Sequence, residues 1–167
     1  LLAMIPFFTI LFTPLFGALV DKVGKATLWM IVGSALVLIS HLIITFAPQG
    51  EPVYAYIAIA LLGTGYSLVP SAMWPSVPKI IPEKNLGTAY SLIYWVQNLG
   101  MWAVPIYVGR IFKNTITEAG NATQEISAAI RAEYVFIFLG IIAIATALML
   151  YFSSKHHPEL RLDKAAK

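Results

Sequence analysis

Residues 26–50 read ATLWMIVGSALVLISHLIITFAPQG, twenty-five consecutive positions without an aspartate, glutamate, lysine or arginine. A helix rises about 1.5 Å per residue, so roughly 20 such residues cross the ~30 Å hydrocarbon core of a bilayer. Four more charge-free runs, 1–20, 52–78, 85–109 and 134–154, confine all the charged side chains to the remaining stretches. These runs lack period-two alternation and are about twice as long as barrel strands, so they read as helices. Only 11% of residues are charged and 59% are hydrophobic, with a mean hydropathy of +0.77; soluble domains carry about 25% charge. A soluble enzyme, a nucleic-acid binder and a disordered tail are excluded. The expected fold class is all-α integral membrane. Five transmembrane helices near 1–20, 26–47, 53–76, 85–111 and 133–154 make a bundle over 1–154, and a polar tail fills 155–167.

Breakers separate the runs. Pro48, Gly50 and Pro52 stop the second, and Pro70, Pro75 and Pro78 are expected to kink or end the third. The hydrophilic segment from Lys113 to Glu133 reads as loop around 118–123. Basic residues sort across the membrane. Lys22, Lys25, Lys79, Lys84, Lys155, Arg161, Lys164 and Lys167 fall on one side, against Arg110, Lys113 and Arg131 on the other. The positive-inside rule makes the first side cytoplasmic. There is no cysteine, hence no disulfide or thiolate metal site, and adjacent His156 and His157 do not make a helical metal pair. No cofactor is expected. The chain opens on Leu1 without a methionine, so a longer protein with an upstream portion is expected.

The most informative short segment is Gly17-Ala18-Leu19-Val20-Asp21-Lys22-Val23-Gly24-Lys25. Gly17 removes a side chain near a span's end and so lets a helix approach. Asp21 places a carboxylate where it can pair with a cation or cap a neighbouring helix, Gly24 can turn the chain with φ > 0, and Lys22 obeys the charge rule. This pattern resembles the cytoplasmic-loop signature of the major facilitator superfamily. Gly65-Tyr66-Ser67-Leu68, Ala72-Met73-Trp74-Pro75, Leu86-Gly87-Thr88-Ala89-Tyr90 and Gln97-Asn98-Leu99-Gly100, with Pro14, Phe16, Ser40 and His41, resemble the lysosomal dipeptide-uniporter branch over roughly residues 1–110. The resemblance implies helices eight to twelve of a twelve-helix carrier, with the third run facing a central cavity, the fourth bordering the other half, and the second and fifth outside.

Periodicity tests that assignment. Thr64, Ser67, Ser71 and Trp74 share one helical face, as do Thr88, Ser91, Trp95 and Asn98, with Tyr90, Tyr94 and Gln97 as an adjoining stripe. Polar groups facing hydrocarbon are costly, so these stripes should face protein or water. Trp74, Tyr94, Gln97, Asn98 and Ser71 are therefore the candidate substrate contacts, with interhelical hydrogen bonding as the competing reading. Gly17, Asp21, Lys22 and Gly24 are expected to gate rather than bind. His41 reads as a structural hydrogen bonder, with a proton relay as its alternative. Arg110 reads as a residue that snorkels to the interface. Asn121-Ala122-Thr123 fits a glycosylation acceptor.

The function expected is that of a secondary active or facilitative transporter, not an enzyme, moving a small polar organic solute such as a dipeptide by alternating access. No carboxylate lies within a run, which leans toward facilitated transport. A non-transporting scaffold or receptor with this fold, or an exporter of amphipathic drugs, are the alternatives. The expected partners are the bilayer, the missing N-terminal half, the solute and an accessory membrane subunit. The bacterial cytoplasmic membrane is favoured, or the lysosomal membrane in an animal.

Overall fold

Six α-helices account for most of the computed structural model, which describes residues 4–48, 50–117, 120–157 and 162–164. They are α1 (Met4–Val23), α2 (Ala26–Phe46), α3 (Pro52–Met73), the short α4 (Val77–Ile80), α5 (Leu86–Thr115) and α6 (Ala122–His156). The expected helix start at 1–3, loop positions 118–119 and the tail residues 158–161 and 165–167, including Arg161 and Lys167, lie outside the described residues.

Local chemistry sets the boundaries. Gly24 leaves α1 with φ of 71° while its N–H donates to Val20 O at 2.8 Å, a left-handed turn that glycine adopts without steric cost. Pro52 occupies the first turn of α3, where its missing N–H is harmless. Pro70 sits inside α3 without ending it. Beyond Met73 the chain tightens into a 3-10 turn, Trp74–Ser76, carrying Pro75, and then α4, carrying Pro78. The third run thus ends in a stepped turn rather than at a single proline.

Small residues govern the packing. Gly33 of α2 and Gly65 of α3 face each other so closely that a Cβ on Gly65 would lie 2.6 Å from the Gly33 carbonyl oxygen. Gly63 receives the ring of Phe8 from α1, and Gly140 of α6 receives Leu38 from α2. Where these helices converge at one end, Val20, Ala26, Met30, Ala72 and Ala147 form a buried cluster. Small interfaces of this kind let backbones approach where lipid supplies no hydrophobic drive.

Four helical stretches are long and apolar enough to cross a membrane by length and composition: α1, α2, Pro52–Ile80 and α6. By this measure one of the expected five, over 85–111, does not qualify. Among the described residues α5 is 30 residues long but not apolar enough. Freedom from formal charge is not apolarity: Tyr90, Ser91, Tyr94, Gln97, Asn98 and Tyr107 add polar groups along it. None of its residues is buried, and its main neighbour is α6.

Two further expectations change. α6 begins at Ala122 rather than near 133, because Asn121 caps it by accepting the Gln124 N–H at 3.0 Å. Its alanines then favour helix, and Ala128 and Ala132 are buried one turn apart. Among the described residues no helix approaches Gly17, where a Cβ would meet nothing within 4 Å. The close helix contacts of this bundle lie instead at Gly33, Gly63, Gly65 and Gly140.

Candidate functional site

The stepped turn after α3 aims Trp74 at α5. Its indole stacks on Tyr94 at 5.0 Å between centroids and lies 5.7 Å from the Tyr90 ring. One turn further along α5, Gln97 and Asn98 are exposed. Asn98 donates from Nδ2 to the Tyr94 carbonyl at 2.8 Å, which ties the amide to the helix turn carrying the aromatic plate. Its Oδ1 makes no hydrogen bond among the described residues, so an acceptor faces outward beside the rings. An amide offers one carbonyl acceptor and two N–H donors. The surface therefore combines an aromatic wall with two amides that can each accept and donate.

Ser71 does not share that surface. It is buried, its hydroxyl 2.7 Å from the Ser67 carbonyl and 3.1 Å from the Thr13 carbonyl of α1. Ser67 is likewise turned on Gly63 O at 2.7 Å, and Thr64 on Ala60 O at 2.7 Å. Period alone could not separate a stripe packed on α1 from one turned to α5. Trp74 differs from these serines because the backbone changes pitch at its position.

At the signature loop, Gly24 and Lys25 are both left-handed, and Asp21 and Lys22 are exposed. Asp21 does not cap α2. That position is taken by Asp163, whose Oδ1 accepts the Thr27 N–H at 3.0 Å and the Thr27 hydroxyl at 2.8 Å. The pattern Gly-Asp-Gly pointed to the loop but held no signal for an acid more than a hundred residues away.

His41 of α2 meets Glu133 of α6, Nδ1 to Oε2 at 2.7 Å, and stacks on Phe136 at 5.1 Å. Glu133 precedes the fifth charge-free run by one residue, and its spacing to Phe136 and Gly140 sets all three on one face toward α2. The pair is structural in form, linking two helices through side chains only 12% and 17% exposed. Removing one partner of a buried hydrogen bond costs on the order of 1–3 kcal/mol. His41→Ala and Glu133→Ala are each expected to lower the melting temperature by several degrees, and the double variant to lose no more than the worse single. Fully additive losses would show that the two side chains do not support each other.

A separate cleft of about 940 Å³ opens between α5 and α6, lined by Trp102, Tyr107, Arg110, Arg131, Tyr134 and Phe138 among others. Arg110 thus points along a groove shared with Arg131, and none of the five expected substrate contacts lines it.

The family model described as Major Facilitator Superfamily matches residues 1–167. The lysosomal dipeptide transporter MFSD1 of Mus musculus is 43% identical over 99 residues, which is 59% of this chain and 20% of the relative. The protein of the same name from Homo sapiens is 41% identical over the same shares, and that from Gallus gallus is 41% identical over 59% of this chain and 22% of the relative. The chain spans about a fifth of the length of the curated relatives it matches. No solved structure matches.

Proposed function

Since the chain belongs to the major facilitator superfamily, we propose that it supplies the C-terminal helices, eight to twelve, of an alternating-access carrier for small polar organic solutes, dipeptides foremost. The observation that carries this reading is the uncovered polar and aromatic face of α5, with Trp74 and Tyr94 stacked beside Gln97 and Asn98. Such a face is costly against hydrocarbon, so it belongs against water or protein.

We read α5 as the fifth crossing helix. It runs antiparallel to α6: Gly100 and Met101 lie near Leu139, while Arg110 lies near Arg131. A helix of about 45 Å laid along a membrane-spanning neighbour traverses the same thickness. It falls short of the apolarity of the others because it lines an aqueous path. The missing N-terminal half is the partner that completes that path, and an accessory membrane subunit remains a candidate. The names of the relatives support a lysosomal membrane; the bacterial cytoplasmic membrane expected from the sequence gains no support from them.

Uptake by the full-length protein tests the proposal. Liposomes holding it should accumulate labelled alanyl-alanine saturably, with excess unlabelled dipeptide competing. Absence of uptake in either membrane orientation, with the protein folded, would favour the scaffold reading. Movement of a cationic amphiphilic dye without the dipeptide would favour the exporter.

A further inference from the structure

The segment 162–164 returns to the bundle at the end where the basic residues gather. Leu162 is 1% exposed, and the Asp163 carboxylate sits between two helices. From α2 it receives the Thr27 N–H and hydroxyl, and from α6 the Ser154 hydroxyl at 3.1 Å. The Asp163 backbone carbonyl accepts the Lys25 N–H at 2.9 Å. Lys79 of α4 donates from Nζ to the Lys164 carbonyl at 3.0 Å. Three residues of tail thereby tie together the α1–α2 loop, the link into α5 and the end of α6.

Two features give the contact consequence. The first is that α2 has no side-chain cap of its own, because Lys25 stands at the cap position with φ of 56°. Left-handed geometry is uncommon outside glycine and persists where the surroundings over-determine it. The tail does so here, accepting the Lys25 N–H and supplying a carboxylate to the first turn of α2. An acid is favoured there by the unpaired N–H groups and the helix dipole. The second is that Asp21, four residues before Lys25, is exposed and forms no ion pair among the described residues. Asp21 lies in the last turn of α1 beside Val20, which packs in the buried cluster, so the seating of this helix end and its loop on the bundle sets where the carboxylate points.

We propose that Asp163 is a positioning residue of the cytoplasmic gate: the tail clasps the signature loop in the conformation that presents Asp21 to the other half of the carrier. The proposal rests on the transporter reading for the word gate, and on the observed contacts for the clasp. Loss of the clasp therefore changes the rate of conformational exchange and leaves the solute surface on α5 intact. Lys79 extends the effect, because it holds α4, the element that leads into α5.

The test uses the full-length protein in lipid nanodiscs and liposomes, with Asp163→Ala, Thr27→Val, Thr27→Ser and the Asp163→Ala/Thr27→Val pair. Thr27→Val keeps the shape and removes the hydroxyl donor, whereas Thr27→Ser restores it. Amide hydrogen exchange over residues 25–28 is expected to rise at least tenfold in Asp163→Ala and to stay near wild type in Thr27→Ser. Turnover of labelled alanyl-alanine should fall several-fold in Asp163→Ala and Thr27→Val at an unchanged half-saturating concentration. The paired variant should be no slower than the worse single. Unchanged exchange would overturn the clasp, and faster exchange with wild-type turnover would overturn its positioning role. A raised half-saturating concentration would also overturn it, by placing the effect at the solute surface. Should Asp163→Ala not fold, Thr27→Val against Thr27→Ser decides on the same readouts. If both it and Thr27→Val fail to fold while Thr27→Ser folds, the contact is structural only. A wild-type protein without uptake counts against the transporter reading, while the exchange measurement still judges the clasp.

Discussion

Gly65→Leu is expected to leave almost no folded protein. A Cβ at this position would lie 2.6 Å from the Gly33 carbonyl oxygen, 2.9 Å from Val37 Cγ2 and 3.1 Å from Leu36 Cβ. The nearest atom is backbone, so a rotamer change cannot relieve the contact and α2 has to move away as a unit. That displacement opens the Gly33 side of the same interface, where Val69 packs as closely. Overpacking a well-filled core costs typically ~1–3 kcal/mol, and the isobutyl group adds volume where even one methyl does not fit. Gly65→Ala should therefore lower the melting temperature measurably, and Gly65→Leu should shift the protein into aggregate on size exclusion in detergent. Gly87→Ala is the control, because a Cβ there meets nothing within 4 Å among the described residues. If Gly65→Leu elutes and melts like Gly87→Ala, the close α2–α3 approach is wrong.

How much of this could be read beforehand depends on the kind of information each feature needs. The helices were legible because the bilayer makes their requirement local, a run of apolar residues between breakers. The start of α6 was not, since residues 122–132 are polar enough to resemble a loop and helical enough, through Ala128, Ala129 and Ala132, to extend the span. In α5 the count of charges misled, because tyrosines and amides lower apolarity without adding formal charge. By helical period Ser67, Ser71 and Trp74 form one stripe. Its lower part nonetheless packs on α1 and its upper end on α5, a division decided by where neighbours stand. His41–Glu133 and Thr27–Asp163 join residues 92 and 136 positions apart. Neither acid lies within a charge-free run, so the pattern that found the spans passed over both.

Asn98→Ala carries the largest consequence for function. The Asn98 amide is exposed on α5, bonded only to the Tyr94 carbonyl of its own helix among the described residues. It makes no interhelical bond that truncation would break, so the expected stability loss is small; alanine also favours helix more than asparagine does. A solute that bonds the amide loses a partner when it is truncated, at a cost of about 1–3 kcal/mol, on the order of tenfold in affinity. The full-length variant should therefore keep its melting temperature within a few degrees while its half-saturating concentration for alanyl-alanine rises about tenfold. Tyr94→Phe supplies the contrast: it keeps the ring that stacks on Trp74 at 5.0 Å and removes only the hydroxyl, so an apolar wall predicts near-normal affinity. A lowered melting point with unchanged affinity in Asn98→Ala would mean that the amide packs against protein rather than solute, and the proposed solute surface would then have to lie elsewhere.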